Sequence, residues 1–493
     1  MKQIVTVACG FILPRYMLLY FGSSINGLVS SITHFLSFIT LLDMGVGAVV
    51  MSNLYKPLAD NDIHHISLIV KSSKRFFKRI SYIFIAYIFI LCVLYPTILG
   101  TTYEAIFTIT LIVVISISTL AQYLFGMTYQ LLLNADQKSY IPMLLHSTTI
   151  ILNTLFAIAM MKCGATIHQV KLMTAGVYII RPVGQMLYVR KKYPLDYAVV
   201  LNDEPIKQKW NGFAQHLASV IVENVDIVAL TLYSTLENIS VYTVYFTVTN
   251  GVEKLIMTAA TGLESMFGNM LAMGESENLQ KTFNIVEWIT HTVVTIVFTV
   301  TAITIVPFVQ VYTRHITDTN YIAPLFSSLL VLAYAAFCLR IPYFRLIKAA
   351  GHFKQTQVGA YISAILNVVV TICMVSSFGL VGAATGTLIA MAYHTCYFVK
   401  YLSLNILYRK WKIFIKYIFT DGIAGLGSFL IARLFFMRDC SYSGWMIFFF
   451  KIILIVLAVS MISNLIFYRA EINYIKMALE RRINHVVKKE QNF

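Results

Sequence analysis

The stretch Phe35–Asp60, FLSFITLLDMGVGAVVMSNLYKPLAD, decides the class of fold. Phe35 to Val50 look like hydrocarbon-soluble helix, yet they enclose Asp43, with glycines at 45 and 47 close behind. A carboxylate facing lipid is heavily penalised. The helix must therefore turn Asp43 towards another helix or a cavity, which requires a bundle around it.

The rest of the chain agrees. Of 493 residues, 58% are hydrophobic and 12% charged, and the mean hydropathy is +0.74. A soluble domain of this size needs far more charge to cover its surface. Runs of about 20 apolar residues, enough to span about 30 Å of hydrocarbon, recur from end to end. Glycine and proline interrupt them, which neighbouring membrane helices tolerate, and strand-type alternation is absent. The chain reads as an all-α polytopic membrane protein. Its first run, Ile4 to Tyr20, contains Arg15 and lacks a small-residue cleavage pattern, so it reads as a retained helix rather than a signal peptide. The seven cysteines (9, 92, 163, 338, 373, 396 and 440) are scattered without C-x-x-C or His/Cys ligand spacing. They read as small apolar side chains, and no metal or other cofactor is expected.

The runs divide into 14 spans: 4–21, 28–52, 80–99, 105–133, 140–161, 170–189, 212–233, 239–268, 286–312, 322–347, 355–376, 380–407, 413–435 and 445–468. One set of connections carries KSSKRFFKR (71–79), Lys138, RKK (190–192), Lys207, Lys209, Lys281, Lys348, Lys354 and RKWK (409–412). The opposite set holds little beyond Lys162, Lys171, Arg314 and Arg438. That asymmetry assigns the basic loops and both termini to the cytoplasm. It also accounts for most of the net charge of +16, since a nucleic-acid surface would gather its basic residues in one soluble domain. The tail beyond Arg469 reads either as a basic amphipathic helix against anionic headgroups or as a solvated helical end.

Residues 131–158 lie over 345–372 at an offset of 214, with Asn153 on Asn367. LYFGSSINGLVSSITHF lies over LTLYSTLENISVYTVYF at a similar offset. Six spans per repeat is an even number, so the two halves run the same way through the membrane, one recognised transporter plan. The expected organisation is an N-terminal lobe (1–200), a C-terminal lobe (201–410), two further helices (411–468) and a basic tail (469–493).

Polar residues inside the spans supply the candidate site. At 100° per residue, Asn26, Ser30, Thr33, Ser37, Thr40, Asp43 and Gly47 share one broad face. In QHLASVIVENVDIVAL, Gln215, His216, Ser219, Glu223 and Asp226 share another, and Thr243, Thr247, Asn250, Lys254, Thr258, Thr261 and Ser265 form a third. Arg15, Arg181, Lys254, Arg340, Arg433 and Lys451 also lie within spans. Each costs about 2.5–3.5 kcal/mol at a helix centre, so each requires a partner or water. Arg15, Arg181, Lys254 and Arg340 are candidates for lining a cavity, where a guanidinium fork suits a diphosphate. Arg345, Arg433 and Lys451 read rather as snorkelling or structurally paired. Asp43, Glu223 and Asp226, with His216 and Asn250, are candidates for ion coupling or cavity lining. A carboxylate in a low-dielectric cavity can bind a proton near neutrality, and a structural pair with a buried base is the equal alternative. The 30 tyrosines read mostly as packing and interface anchors, with some, such as Tyr242 and Tyr245, as candidates for stacking against sugar rings.

The N-terminal stretch FILPRYMLLYFGSSINGLVSSITHFLSFITLLDMGVGAVVMSNLYKPLAD resembles the signature of Wzx-type polysaccharide transporters, and LLLNADQKSYI resembles the end of their fourth span. The likeness is specific over about residues 10–80 and 125–145 and topological elsewhere. The sequence ahead of Arg15 is shorter than is usual in that family. The resemblance implies the multidrug/oligosaccharidyl-lipid/polysaccharide flippase superfamily: two six-helix lobes around a central cavity, often with two further helices. It also implies a bacterial inner-membrane flippase moving undecaprenyl-diphosphate-linked oligosaccharide outward by alternating access, for O-antigen, capsule or exopolysaccharide. Its partners would be the lipid-linked oligosaccharide, membrane lipids, a polysaccharide polymerase and a chain-length regulator. The family's cationic cavity would correspond here to Arg15, Arg181, Lys254 and Arg340.

Two alternatives stand beside this reading. A small-molecule or drug exporter of the same superfamily would have a smaller, less cationic cavity. A membrane-embedded polymerase or glycosyltransferase would need a sizeable extracytoplasmic loop. Here those loops are short, VYTRHITDTNY (311–321) being among the longest, and no phosphate loop or nucleophile elbow is present.

Overall fold

A computed structural model describes residues 2–42, 46–100, 102–196, 198–200, 213–437, 439–469 and 471. Asp43 lies outside the described residues. Its elements are α1 (Lys2–Ser37), α2 (Val46–Ala59), α3 (Ile63–Leu99), α4 (Ala105–Ala121), α5 (Met127–Ala135), α6 (Tyr140–Lys162), α7 (Ile167–Lys192), α8 (Phe213–Tyr233) and α9 (Leu236–Ala259). They continue with α10 (Leu263–Ala272), α11 (Ser276–Tyr312), α12 (Pro324–Leu339), α13 (Ile341–Ala349), α14 (Phe353–Phe378), α15 (Leu380–Asn405), α16 (Ile413–Ala432) and α17 (Tyr442–Phe467). There is no strand among the described residues. The protein is an all-helical, multi-pass membrane protein.

Nine helical stretches among the described residues are long and apolar enough to cross a membrane, including Val5–Leu41, Ile63–Leu99 and Tyr442–Phe467. Each expected span falls on a helix or a broken pair of helices. Helices α7, α8 and α9 fall outside the most apolar set, and they carry Arg181, Glu223, Asp226 and Lys254. The first expected span and the start of the second, up to Ser37, are one helix kinked at Gly22, where φ is 79°. That left-handed conformation suits glycine. The kink frees the amide of Ser23, whose N–H and Oγ–H both donate to Asp318, each at 2.6 Å.

The repeat is visible in the backbone. After α5, Gln137 has φ 57°, and after α13, Gly351 has φ 72°. In the first turn Lys138 N–H donates to Leu133 O at 2.8 Å, and in the second His352 N–H donates to Ile347 O at 3.1 Å. The two turns match bond for bond, a left-handed helix C-cap of the Schellman kind. Asn153 and Asn367, aligned at the same offset, are 2% and 0% exposed.

Helix packing divides the chain into two compact units. The first comprises 1–247, 315–320 and 360–387, and the second 248–314, 321–359 and 388–493. In the first, hydroxyls form a buried relay: Tyr95 donates to Ser31 at 2.6 Å, Ser31 to Thr231 at 2.6 Å, and Thr231 to Ile227 O at 2.7 Å. His34 Nδ1–H and Ser37 Oγ–H both donate to Asn224 Oδ1, and Asn26 donates to Ser240 at 2.8 Å. In the second, Phe267, Phe283, Tyr343, Leu346, Phe398 and Leu402 form an apolar core. Beside it, Arg409 grips Glu287 through both terminal nitrogens at 2.6 and 2.7 Å, and Tyr343 donates to the same carboxylate.

Candidate functional site

The site is built first by close helix packing. A Cβ on Gly386 would come within 2.1 Å of Thr371 Oγ1, and one on Gly382 within 2.4 Å of the Met374 carbonyl. This small-xxx-small spacing lets α14 and α15 approach backbone to backbone. Their contact brings Asn367, Thr371 and Thr387 against Asp226 of α8. Asp226 is 2% exposed. Its Oδ2 accepts from Tyr242 at 2.8 Å and from Thr387 at 2.5 Å, while Oδ1 accepts only a long bond from Thr371, 3.4 Å. Asn367 Nδ2 donates to Thr387 at 3.4 Å, but its buried Oδ1 has no partner among the described residues.

Asp226 has no ion-pair partner among the described residues. Burying an uncompensated carboxylate costs several kcal/mol, which hydroxyl donors offset only in part. Its carboxylate and the Tyr242, Thr371 and Thr387 hydroxyls make an all-oxygen set. Such a set accommodates a small hard cation or a proton.

A second cluster surrounds Arg181. Between α4 and α5 the chain takes a π-turn over Gln122–Gly126, and Pro182 interrupts α7 one residue beyond the arginine. Such π-turns re-aim side chains and recur at functional sites. Here Gln122 donates to Gln130 Oε1 at 3.2 Å, and Arg181 donates to the same oxygen at 2.7 Å and to His146 Nδ1 at 3.4 Å. Both side chains that accept from the arginine are thus neutral, and its buried Nε has no partner among the described residues. A partly buried guanidinium so arranged retains the capacity to bind an anion.

In the second unit, Arg340 donates to His394 Nδ1 at 2.7 Å and lies 4.2 Å from the Phe337 ring centroid, with Glu253 within electrostatic range. Asn250 donates to Glu253 at 3.1 Å. Lys254 is exposed, whereas Arg15 is half-buried in α1.

Several sequence expectations change. The stripe containing Asn26 does not continue as one α-helical face, because the chain tightens to a 3-10 turn at Phe38–Leu41. Glu223 and Asp226 do not share an environment: Glu223 is exposed, while Asp226 is buried. The side chain of His216 lies outside the described residues. Tyr242 and Tyr245 are 3% and 0% exposed, so neither presents a face for stacking on a sugar. In the α9 stripe, Thr243, Thr247 and Thr258 donate to carbonyls four residues earlier, satisfying themselves within their own helix. Arg345 pairs with Glu264 at 3.1 Å, as a structural cation should. Missed altogether were Thr371 and Thr387, whose only sequence signal is the GAATG spacing of residues 382–386, while Asn367 was marked only as the repeat partner of Asn153.

These features define an all-helical membrane bundle with a repeated helical turn, broken helices and buried polar clusters. No protein-family model matches the chain, and no curated protein sequence matches it. Among solved structures it is similar to the lipid II flippase MurJ in an inward closed conformation. That match has TM-score 0.73 and 17% identity, and covers 96% of this chain and 98% of that one. It is also similar to an inward-facing multidrug resistance MATE family transporter of the MOP superfamily, with TM-score 0.62 and 12% identity over 82% and 95% of the two chains. The MATE transporter VcmN of Vibrio cholerae, in its bent form, matches with TM-score 0.53 and 13% identity over 83% and 96%.

Proposed function

We propose that this protein is a flippase that moves undecaprenyl-diphosphate-linked oligosaccharide from the cytoplasmic to the outer leaflet of a bacterial inner membrane, supplying surface polysaccharide synthesis. Both termini are cytoplasmic in this reading. The observation that carries it is Arg181: a guanidinium inside the bundle, set beside a π-turn and a proline, which donates to neutral Gln130 and His146. Such a group is suited to a diphosphate, which a neutral or cationic drug would not require. Arg340, bonded to neutral His394, is the second candidate, and Arg15 of the first unit and Lys254 of the second are further candidate cations. The likeness to a lipid II flippase along nearly the whole chain supports a lipid-linked cargo.

The driving step is assigned to Asp226, whose oxygen-only surroundings would take up a monovalent cation or a proton in one state and release it in the other. Cation-coupled drug export is the second reading, favoured by the likeness to MATE transporters.

Purified protein in proteoliposomes tests the proposal. Flipping of a fluorescent polyprenyl-diphosphate oligosaccharide is expected to fall at least tenfold in Arg181→Ala at equal abundance, with partial retention in Arg181→Lys. Movement of cationic drugs with no movement of the lipid-linked cargo would establish the exporter reading instead.

A further inference from the structure

Away from these clusters, α11, α16 and α17 line a small polar cavity of about 10 Å³, whose lining includes His291, Thr292, Thr420, Asp421, Ser460 and Asn464. That is room for about one water, walled by hydroxyls between apolar membrane helices. His291 is 1% exposed, with its ring stacked on Tyr417 at 4.7 Å and edge-on to Phe414 at 5.4 Å. Its Nδ1 lies 2.6 Å from Asp421 Oδ2. A carboxylate only accepts, so Nδ1 carries the hydrogen in this bond. The other ring nitrogen, Nε2, has no partner among the described residues, and neither have the buried Ser460 and Ser463 hydroxyls. The neighbouring polar groups are already engaged: Trp288 and Thr292 both donate to Asn464 Oδ1, at 2.7 and 3.2 Å.

The charges around the cavity decide what it holds. On α11, Glu287 lies one turn before His291 and is saturated by Arg409 and Tyr343. On α16, Tyr417 stacks on His291, and Lys416 lies over the Tyr468 ring at 4.7 Å. Beyond α17, Tyr468 stacks on Tyr417 at 5.2 Å, with Glu471 near both. Among the described residues, Asp421 pairs only with His291. A neutral imidazole would leave this pair with a net negative charge inside the bundle. One added proton makes it neutral and turns Nε2 into a donor for the waiting hydroxyls or a bridging water.

We propose that the cavity between α11, α16 and α17 is a proton-binding site, in which the His291–Asp421 pair holds one exchangeable proton. The proton goes on at His291 and leaves from it, with no other bond made or broken. The site belongs to the second unit and does not depend on Asp226 or on the identity of the cargo. Its occupancy sets how α16 and α17 are tied to α11.

Proton uptake by the purified full-length protein in lipid nanodiscs tests this, read with a pH dye after acidification across about pH 8 to 5, where histidine ordinarily changes charge. Wild type is expected to take up one proton more than His291→Gln. Asp421→Asn, which removes the anion but keeps the shape, is expected to weaken that proton's binding at least tenfold. Equal uptake by wild type and H291Q, or an Asp421→Asn titration that coincides with wild type, overturns the proposal. If H291Q does not fold, the D421N comparison decides alone. A response to added sodium at fixed pH, absent from D421N, would overturn it in favour of a metal cation.

Discussion

Replacing Asp226 by asparagine removes one charge and almost no volume from the most enclosed polar cluster of the first unit. Two opposing terms set the effect on stability. Hydrogen bonds to a charged acceptor are worth about 1.5–3 kcal/mol each, and Tyr242 and Thr387 make two short ones. Against them stands the cost of burying an unpaired carboxylate, several kcal/mol. The hydroxyls can rotate to suit an amide, so the variant is expected to fold with stability within about 2 kcal/mol of wild type. Coupling should respond very differently. A tenfold gradient of a monovalent cation supplies about 1.4 kcal/mol, and 100 mV across the membrane adds about 2.3 kcal/mol per charge. Together these amount to roughly 3.7 kcal/mol, on the order of a 500-fold steady-state bias of cargo between leaflets. The assay is the steady-state distribution of fluorescent lipid-linked oligosaccharide in proteoliposomes, with sodium and proton gradients imposed separately. Wild type is expected to respond to one gradient, and Asp226→Asn to equilibrate the cargo with no bias. Undiminished gradient-driven accumulation by D226N at normal abundance would refute the coupling role.

The remaining predictions concern what holds the cluster and the bundle. Gly386→Leu forces side-chain atoms into Thr371. It is expected to lower thermal stability by at least about 1–3 kcal/mol, read by fluorescence-detected size exclusion after heating, and to abolish gradient-driven transport in what survives. Glu287→Gln leaves Arg409 buried without its counter-charge and is expected to cost about 3–5 kcal/mol; an apolar pair at both positions should recover most of the folded yield. Asp318→Ala removes the cap from the freed amide of Ser23 and is expected to cost about 1 kcal/mol, detected as faster hydrogen exchange confined to the start of the second half of α1.

The bundle was legible in the sequence because hydrocarbon imposes a simple rule on length and apolarity. The likeness of residues 131–158 to 345–372 was legible in the sequence, and the turns after α5 and α13 share one left-handed geometry although Gln137 stands in one and Gly351 in the other. The site was harder to read. Helical projection grouped Glu223 with Asp226, but their 60° separation is enough to expose one and bury the other. Threonines on α9 looked like a cavity lining, yet their hydroxyls return to their own backbone. Beside Tyr242, the partners of Asp226 are Thr371 and Thr387, 145 and 161 positions away, and only the glycine spacing at 382 and 386 hinted that α14 and α15 meet so closely. Arg181 was visible as a charge in an apolar run. The π-turn that aims Gln122 and Gln130 at it leaves no signature in spacing.

The most direct test of the central claim is where the cargo stops when the protein is removed. After deletion in the native host, the lipid-linked oligosaccharide is predicted to accumulate in the cytoplasmic leaflet, inaccessible to an externally added glycan-modifying enzyme. Wild-type protein restores its exposure and Arg181→Ala does not. Cargo that still reaches the outer leaflet in the deletion strain, with no other transporter supplying the activity, would contradict the account.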